Sequence, residues 1–238
     1  MIVLVIDIGG TNAKIWKTAR DEDKIRIPTG KGFTPVDLVK YTRESLQGWE
    51  VDRVSIGYPG DVLYGRPVSD PYNLGSGWVS FDFSKAFGCP VKLMNDACMQ
   101  AVGSYEGGRM LYIGLGTSMG TAYIINNQIV PLALGHLKFL RGESFEHYLG
   151  RNGLKLHGLK RWCRAVGEAA HVLQAAFLSD YVVLGGGNAK KLEEIPPGCR
   201  LGGNHNAYHG GVRMWEGIFN QPHGHNFDSE NSRESDFK

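Results

Sequence analysis

Two glycine-rich stretches, a glycine triplet and one carboxylate are the parts of this sequence whose residue types and spacing bear on chemistry. Asp7-Ile8-Gly9-Gly10-Thr11-Asn12-Ala13-Lys14 closes an apolar run. Its glycines let backbone N–H groups approach a phosphate, Thr11 adds a hydroxyl, and Asp7 is placed to hold a magnesium ion through water. The same residues also suit a plain hairpin turn, and a Gly-Gly-Thr turn alone serves either reading equally. The GxxxxGK[ST] spacing of a Walker loop is absent. Leu115-Gly116-Thr117-Ser118-Met119-Gly120-Thr121 offers a second set of amides and hydroxyls, so two turns facing one cleft could grip the phosphates of a nucleotide from both sides. Gly185-Gly186-Gly187-Asn188 follows an apolar run and precedes Lys190 and Lys191; bare backbone there could pack against a flat, adenine-like ring. Asp96, in Asn95-Asp96-Ala97, stands where a strand passes into a helix. It is either an N-cap or a general base that accepts the proton of a hydroxyl attacking a phosphoryl group. The local sequence favours the cap.

The elements that position these residues follow from patterning. Residues 2–6 form a β-branched apolar run that ends in the first glycine turn, and Lys14–Lys17 returns as an alternating strand. Leu111–Leu115, the second turn and Ala122–Ile125 repeat that unit about halfway along the chain. A repeat at this distance is too long for a solenoid and predicts two similar half-domains, each opening with a hairpin whose turn faces a shared cleft. Each half continues through a helix to a further strand. In the first half these are Val36–Leu46 and Val54–Gly57, then the strand Val91–Met94 and a helix to about Tyr105. In the second they are a long helix over Lys160–Leu178 and the strand Tyr181–Leu184. Strands alternating with helices predict an α/β fold. Gln221–Lys238 is too poor in apolar residues to fold alone and is expected to be a mobile tail, its His223 and His225 solvated rather than metal-bound.

With 238 residues, 42% of them hydrophobic, the chain can bury a substantial core. Its 26 basic and 24 acidic residues give a formal charge of only +2, which argues against a surface built to grip nucleic acid or an anionic membrane. The opening apolar run stops at Asp7, short of a signal peptide or membrane span, so a cytoplasmic location is expected. The four cysteines form no CxxC pair and read as reduced thiols.

Taken together, Asp7–Lys14, Gly57-Tyr58-Pro59-Gly60, Asn73-Leu74, Asn95-Asp96-Ala97, Leu115–Thr121, Leu134-Gly135-His136 and Leu184–Asn188 resemble, in order, the sugar kinases of the actin and hexokinase superfamily. Within it they resemble the repressor, open-reading-frame and kinase (ROK) family, in particular its polyphosphate glucokinase-like branch. The resemblance spans roughly residues 2–219. It implies a two-lobed, actin-like ATPase fold of the ribonuclease H-like type, with duplicated half-domains around a cleft. The first lobe would comprise 1–97 plus 210–220, including a closing helix near Gly210–Phe219, and the second 98–209, leaving 221–238 as the tail. It also implies that Gly9, Gly10, Thr11 and Lys14, with Asp7, form one phosphate loop, and Gly116, Thr117, Ser118, Gly120 and Thr121 the other. Gly185, Gly186, Gly187 and Asn188 would lie at the adenosine site, and Asp96 would be the catalytic base, which outweighs the cap. Gly60, Asn73, Asn95, Asp96, His136 and Glu146 would serve the sugar.

Two departures stand out. Residues 137–162 contain no cysteine, so the zinc loop common in the family is not expected. The family's Glu-x-Gly-His pattern has Ala133 at the glutamate position. The resulting expectation is transfer of a phosphoryl group from ATP or polyphosphate, with magnesium, to a hexose, at the 6-hydroxyl of glucose. The partners would be a small-molecule sugar and a second copy of the chain in a homodimer, with no nucleic acid or membrane. Ala133 keeps open a non-catalytic sugar or nucleotide sensor. A DNA-binding repressor is disfavoured because no helix-turn-helix segment precedes Asp7, and a cytoskeletal filament because the chain is short.

Overall fold

The computed structural model describes residues 1–217 and 219, with 19, 47, 49 and 204 left out. The expected tail, with His223 and His225, lies outside the described residues.

The chain opens with β1 (Val3–Ile8), β2 (Asn12–Lys17) and β3 (Arg20–Pro28), antiparallel in succession. After α1 (Pro35–Ser45) it returns as β4 (Arg53–Tyr58), parallel to β1. A small hairpin of β5 (Val62–Leu63) and β6 (Arg66–Pro67) and the short α2 (Phe83–Phe87) then lead to β7 (Val91–Asn95), parallel to β4. Helix α3 (Asp96–Ser104) crosses to a second meander of β8 (Arg109–Leu115), β9 (Met119–Ile125) and β10 (Gln128–Leu132). Helices α4 (Phe145–Leu149) and α5 (Arg151–Ala176) precede β11 (Tyr181–Gly185), parallel to β8; β12 (Cys199–Leu201) and α6 (Asn206–Arg213) follow. The two five-stranded sheets have the same order, β3-β2-β1-β4-β7 and β10-β9-β8-β11-β12. The expected duplication of α/β half-domains is therefore present at the level of strand topology.

Every residue of β1 is buried, because its alternate side chains enter different cores. Leu4, Ile6 and Ile8 pack with Leu38 and Phe87 on one face of the first sheet. Val3 and Val5 share a central core with Met99 and Val102 of α3 and with Tyr112 and Val183 of the second sheet. Leu111, Ile113 and Leu115 face Trp162 and Val166 of α5 in a third core. A strand covered on both faces reads in sequence as a continuous apolar run, which is the pattern of residues 3–6. In the central layer α3 and α6 cross at Gly103 and Gly210, where a Cβ on either would overlap backbone of the other helix. The Ser55 hydroxyl fastens α6 to the first sheet by donating to Gly211 O at 2.6 Å.

Several boundaries differ from expectation. The long helix beyond Gly158 begins where expected and ends at Ala176, but a further helical segment from Arg151 precedes it, and the non-helical Gly158 (φ 72°) between them breaks the repeat that patterning relies on. The last helix is Asn206–Arg213 rather than 210–219, so it starts before the glycines that obscure its periodicity. β9 begins at Met119 and takes in Gly120 and Thr121, because cross-strand pairing with Ile113–Leu115 overrides the loop-like composition. β3 and β10 carried no clear pattern, since charges interrupt Arg20–Pro28 and a proline sits in Gln128–Leu132. No helix among the described residues is long and apolar enough to cross a membrane.

Candidate active site

Asp96 is the first residue of α3, and the cap position belongs to its neighbour. Asn95 Oδ1 accepts from Ala97 N (3.0 Å) and Cys98 N (3.3 Å), while its Nδ2 donates to Gly60 O at 3.0 Å. The N-cap reading of Asp96 is thereby corrected. Asn95 caps the helix and ties it to the loop after β4, leaving one amide N–H for other use. Asp96 as a residue is half-buried, and its carboxyl sits deep among protein atoms. Burial, reinforced by the negative charge of Asp7, pushes its pKa up to about 7 against the opposing effects of the Ala97 amide and the Lys14 ammonium. A carboxylate poised near neutrality suits proton transfer.

Asp7 is the penultimate residue of the buried β1 and lies opposite Lys14 in the β1–β2 register. Lys14 Nζ is 2.9 Å from Asp7 Oδ2, while Oδ1 carries no hydrogen bond among the described residues. Gly9 donates to Asn12 O at 3.1 Å and Thr29 Oγ1 to Gly9 O at 2.6 Å, which holds the turn while Gly10 and Thr11 stay exposed. Asn73 lies against this turn: a Cβ on Gly10 would be 3.4 Å from the Asn73 Cβ. The first glycine loop and one sugar candidate are thus brought together.

In the second hairpin the turn is Gly116–Ser118, closed by Gly116 N donating to Ser118 O at 3.2 Å, with Thr117 and Ser118 exposed. Gly120 lies within β9 and abuts the start of α3, where a Cβ would stand 2.7 Å from Ala97 Cβ; this sets the second turn beside Asp96. Thr121 is buried, and its hydroxyl donates to Leu132 O (2.8 Å) and accepts from Leu134 N (3.2 Å). That hydroxyl holds the turn leading to Leu134–His136 instead of opening on the cleft. Gly185 ends β11, and Gly186 adopts φ 80° against the Leu115 backbone. Asn188, also buried, donates from its backbone to Leu115 O (2.9 Å) and from Nδ2 to Gly116 O (3.2 Å). The glycine triplet therefore buttresses the second turn, with Gly187 facing open space.

On the second lobe Glu146 Oε2 accepts from Met119 N at 3.4 Å and lies beneath Gly135, while His136 and Ala133 are exposed. No hydrogen bond among the described residues joins this group to Asn73, Gly60 or Asp96. Motif reading missed Thr29, Tyr112, Gln100 and the start of α5, whose Arg151 N donates to Thr117 O at 3.3 Å. None of these carries a local signal, because each acts through a partner distant in sequence.

The Asp7 site fits a magnesium ion held through water. One carboxylate oxygen of Asp7 remains open, a second carboxylate, Asp96, lies close enough for the Asp7 charge to raise the Asp96 pKa, and magnesium commonly takes one or two carboxylates plus substrate phosphates.

No family model matches the chain. It is similar to the polyphosphate glucokinase of Mycobacterium leprae (strain TN), 25% identical over 216 residues; the match covers 81% of this chain and 65% of that relative, less than two thirds of its length. In structure it is similar to the inorganic polyphosphate/ATP-glucomannokinase of Arthrobacter sp. strain KM, with a TM-score of 0.72, 24% identity, and coverage of 90% of this chain and 97% of that one. A ROK family glucokinase from Streptomyces griseus, in complex with glucose and AMPPNP, superimposes with a TM-score of 0.70 and 17% identity over 90% and 99% of the two chains. At these identities the structural likeness establishes the fold, which is the two-lobed actin-like ATPase fold. In fold the chain is similar to ROK-family sugar kinases, and in sequence to a polyphosphate glucokinase.

Proposed function

We propose that the chain is a sugar kinase transferring a phosphoryl group from ATP or inorganic polyphosphate to a hexose, at the 6-hydroxyl of glucose. The observation that carries this reading is Asp96: a carboxylate with its pKa near 7, at the start of a helix capped by another residue, beside both glycine turns. In this role Asp96 accepts the hydroxyl proton as the oxygen attacks the donor phosphorus. Gly60, Asn73, Asn95, His136 and Glu146 bind sugar hydroxyls, Asn95 through its remaining amide N–H. Backbone amides of Gly9–Thr11 and Gly116–Ser118 stabilise the transferred charge, and Lys14 shares in that work. Gly185–Gly187 packs on the adenine ring. Magnesium, when bound near Asp7, neutralises charge on the donor phosphates. Closure of the lobes about the α3–α6 crossing would shut water out of the site.

The polyphosphate part of the reading rests on a basic segment, residues 138–164. Lys138, Arg141, Arg151, Lys155, Lys160, Arg161 and Arg164 are all exposed and form no ion pair among the described residues. Within this basic segment the backbone N–H of Arg151 donates to Thr117 O of the second turn. A long polyanion could run along the segment from the turn.

A coupled assay of several hexoses against ATP and polyphosphate tests these statements. Sugar-dependent consumption of either donor is expected. Folded protein that consumes neither, with any hexose, sinks the kinase reading; activity with ATP alone at low salt removes only polyphosphate. One observation favours a second reading, a non-catalytic sensor: exposed Ala133 supplies no carboxylate where the resemblance puts one. Sugar binding without donor consumption would establish it.

A further inference from the structure

Tyr112 has no part in the chemistry proposed above, yet it touches both sides of it. It stands in mid-β8, 1% exposed, and its hydroxyl donates to Gln100 Oε1 at 2.7 Å. Gln100 lies one helical turn beyond Asp96 on α3, on the same face. The other side of the hydroxyl meets the glycine triplet: a Cβ on Gly185 would overlap the Tyr112 oxygen, and the Gly186 N–H faces it. Burial pushes this phenol far above its ordinary range, with Asp96 and Asp7 adding to the effect, so it remains a proton donor throughout the working pH range. The triplet has no slack of its own, since Gly186 presses on Leu115 and Asn188 is bonded to Leu115 and Gly116. A continuous run of contacts thus leads from the candidate adenosine loop, through one hydroxyl and one amide, to the helix that begins with Asp96.

We propose that Tyr112 and Gln100 are positioning residues for the phosphoryl donor, holding the Gly185–Asn188 loop at a fixed place relative to the Asp96 helix without touching the sugar. This rests on reading that loop as the nucleotide site of a sugar kinase. It separates two properties that a merely structural role would move together, donor affinity and sugar affinity.

Tyr112→Phe keeps the ring and its packing and removes only the hydroxyl. ADP affinity by calorimetry, and kcat/KM for ATP, should fall about two- to tenfold, the range of one lost hydrogen bond, with the sugar KM unchanged. Gln100→Met should produce the same loss, and the double variant should be no worse than either single one. Wild-type ADP affinity in both single variants, a sugar KM that rises with the donor KM, or additive losses in the double variant would each overturn the inference. So would a wild-type protein that binds no ADP, since the triplet would then be no nucleotide loop. If the wild-type protein binds ADP but phosphorylates no sugar, and Tyr112→Phe still weakens ADP, the kinase reading fails while the positioning role stands.

Discussion

The two glycine hairpins share one plan, but four residues separate Ile8 from Ala13 and three separate Leu115 from Met119, and their chemistry diverges most one pair back from the turn. In the first, Ile8 pairs with Ala13 before the turn and Asp7 with Lys14 one step further back. In the second, Leu115 pairs with Met119, and the next pair is Gly114 with Gly120. Where one half carries an ion pair, the other carries two hydrogens. The vacant side chain at Gly120 is filled by Ala97, so the helix bearing Asp96 docks on the second hairpin, while the charge pair on the first faces Asp96 closely enough to act on its pKa. Topological repetition supplies two turns at corresponding places in the two sheets. The chemistry depends on where the repetition is broken.

The most severe test of this division is Asp96→Asn. Turnover should fall a hundredfold or more, since an amide cannot accept the proton and Asn95 still caps the helix. The folded-state pKa of Asp96 lies above its ordinary value, so ionising it opposes folding; the stability present at low pH is lost as pH rises through about 7. The Asn variant should therefore melt about 3 °C or more above wild type at pH 8, with the gap closing toward pH 4. Wild-type turnover with the best sugar would end the assignment.

On the second lobe, Ala133→Glu should lower the glucose KM about tenfold and leave kcat less changed, because a charged acceptor for sugar hydroxyls is restored. No gain in a folded variant would count against the positional match.

Substituting the hairpin glycines sharpens the contrast directly. Gly120→Ala sets a methyl group 2.7 Å from the rigid Ala97 Cβ and should destabilise by about 1–3 kcal/mol, whereas Gly10→Ala meets Asn73 at an ordinary 3.4 Å and should melt as wild type. Equal melting of the two variants would mean that α3 does not depend on the gap.

The smallest effect concerns pH. Lys14→Met removes a charge that lowers the Asp96 pKa, so the acidic limb of the rate profile should move to higher pH by a fraction of a unit. A move to lower pH would contradict the proximity of the two groups.

Much of this was legible in the residues. The apolar runs at 3–6 and 111–115, the glycine turns that follow them and the strand-to-helix passage at Asn95-Asp96 are local patterns, and the sheets form around them. The extra turns of α5 were not legible, because Gly158 interrupts the period. Nor was the role of Thr121, whose composition suits a loop but whose hydroxyl is consumed by Leu132 and Leu134.

By itself the sequence determined the alternation of strands and helices, the recurrence of one hairpin and the set of residue types able to hold phosphate and move a proton, since each depends on neighbours within a few positions. Only the tertiary structure decided which of Asn95 and Asp96 caps α3, how far the Asp96 carboxyl is shifted, and that Gly120, Tyr112 and Gln100 belong with it. Those outcomes depend on desolvation and on contacts across strands and lobes, and both arise only once distant segments are packed together.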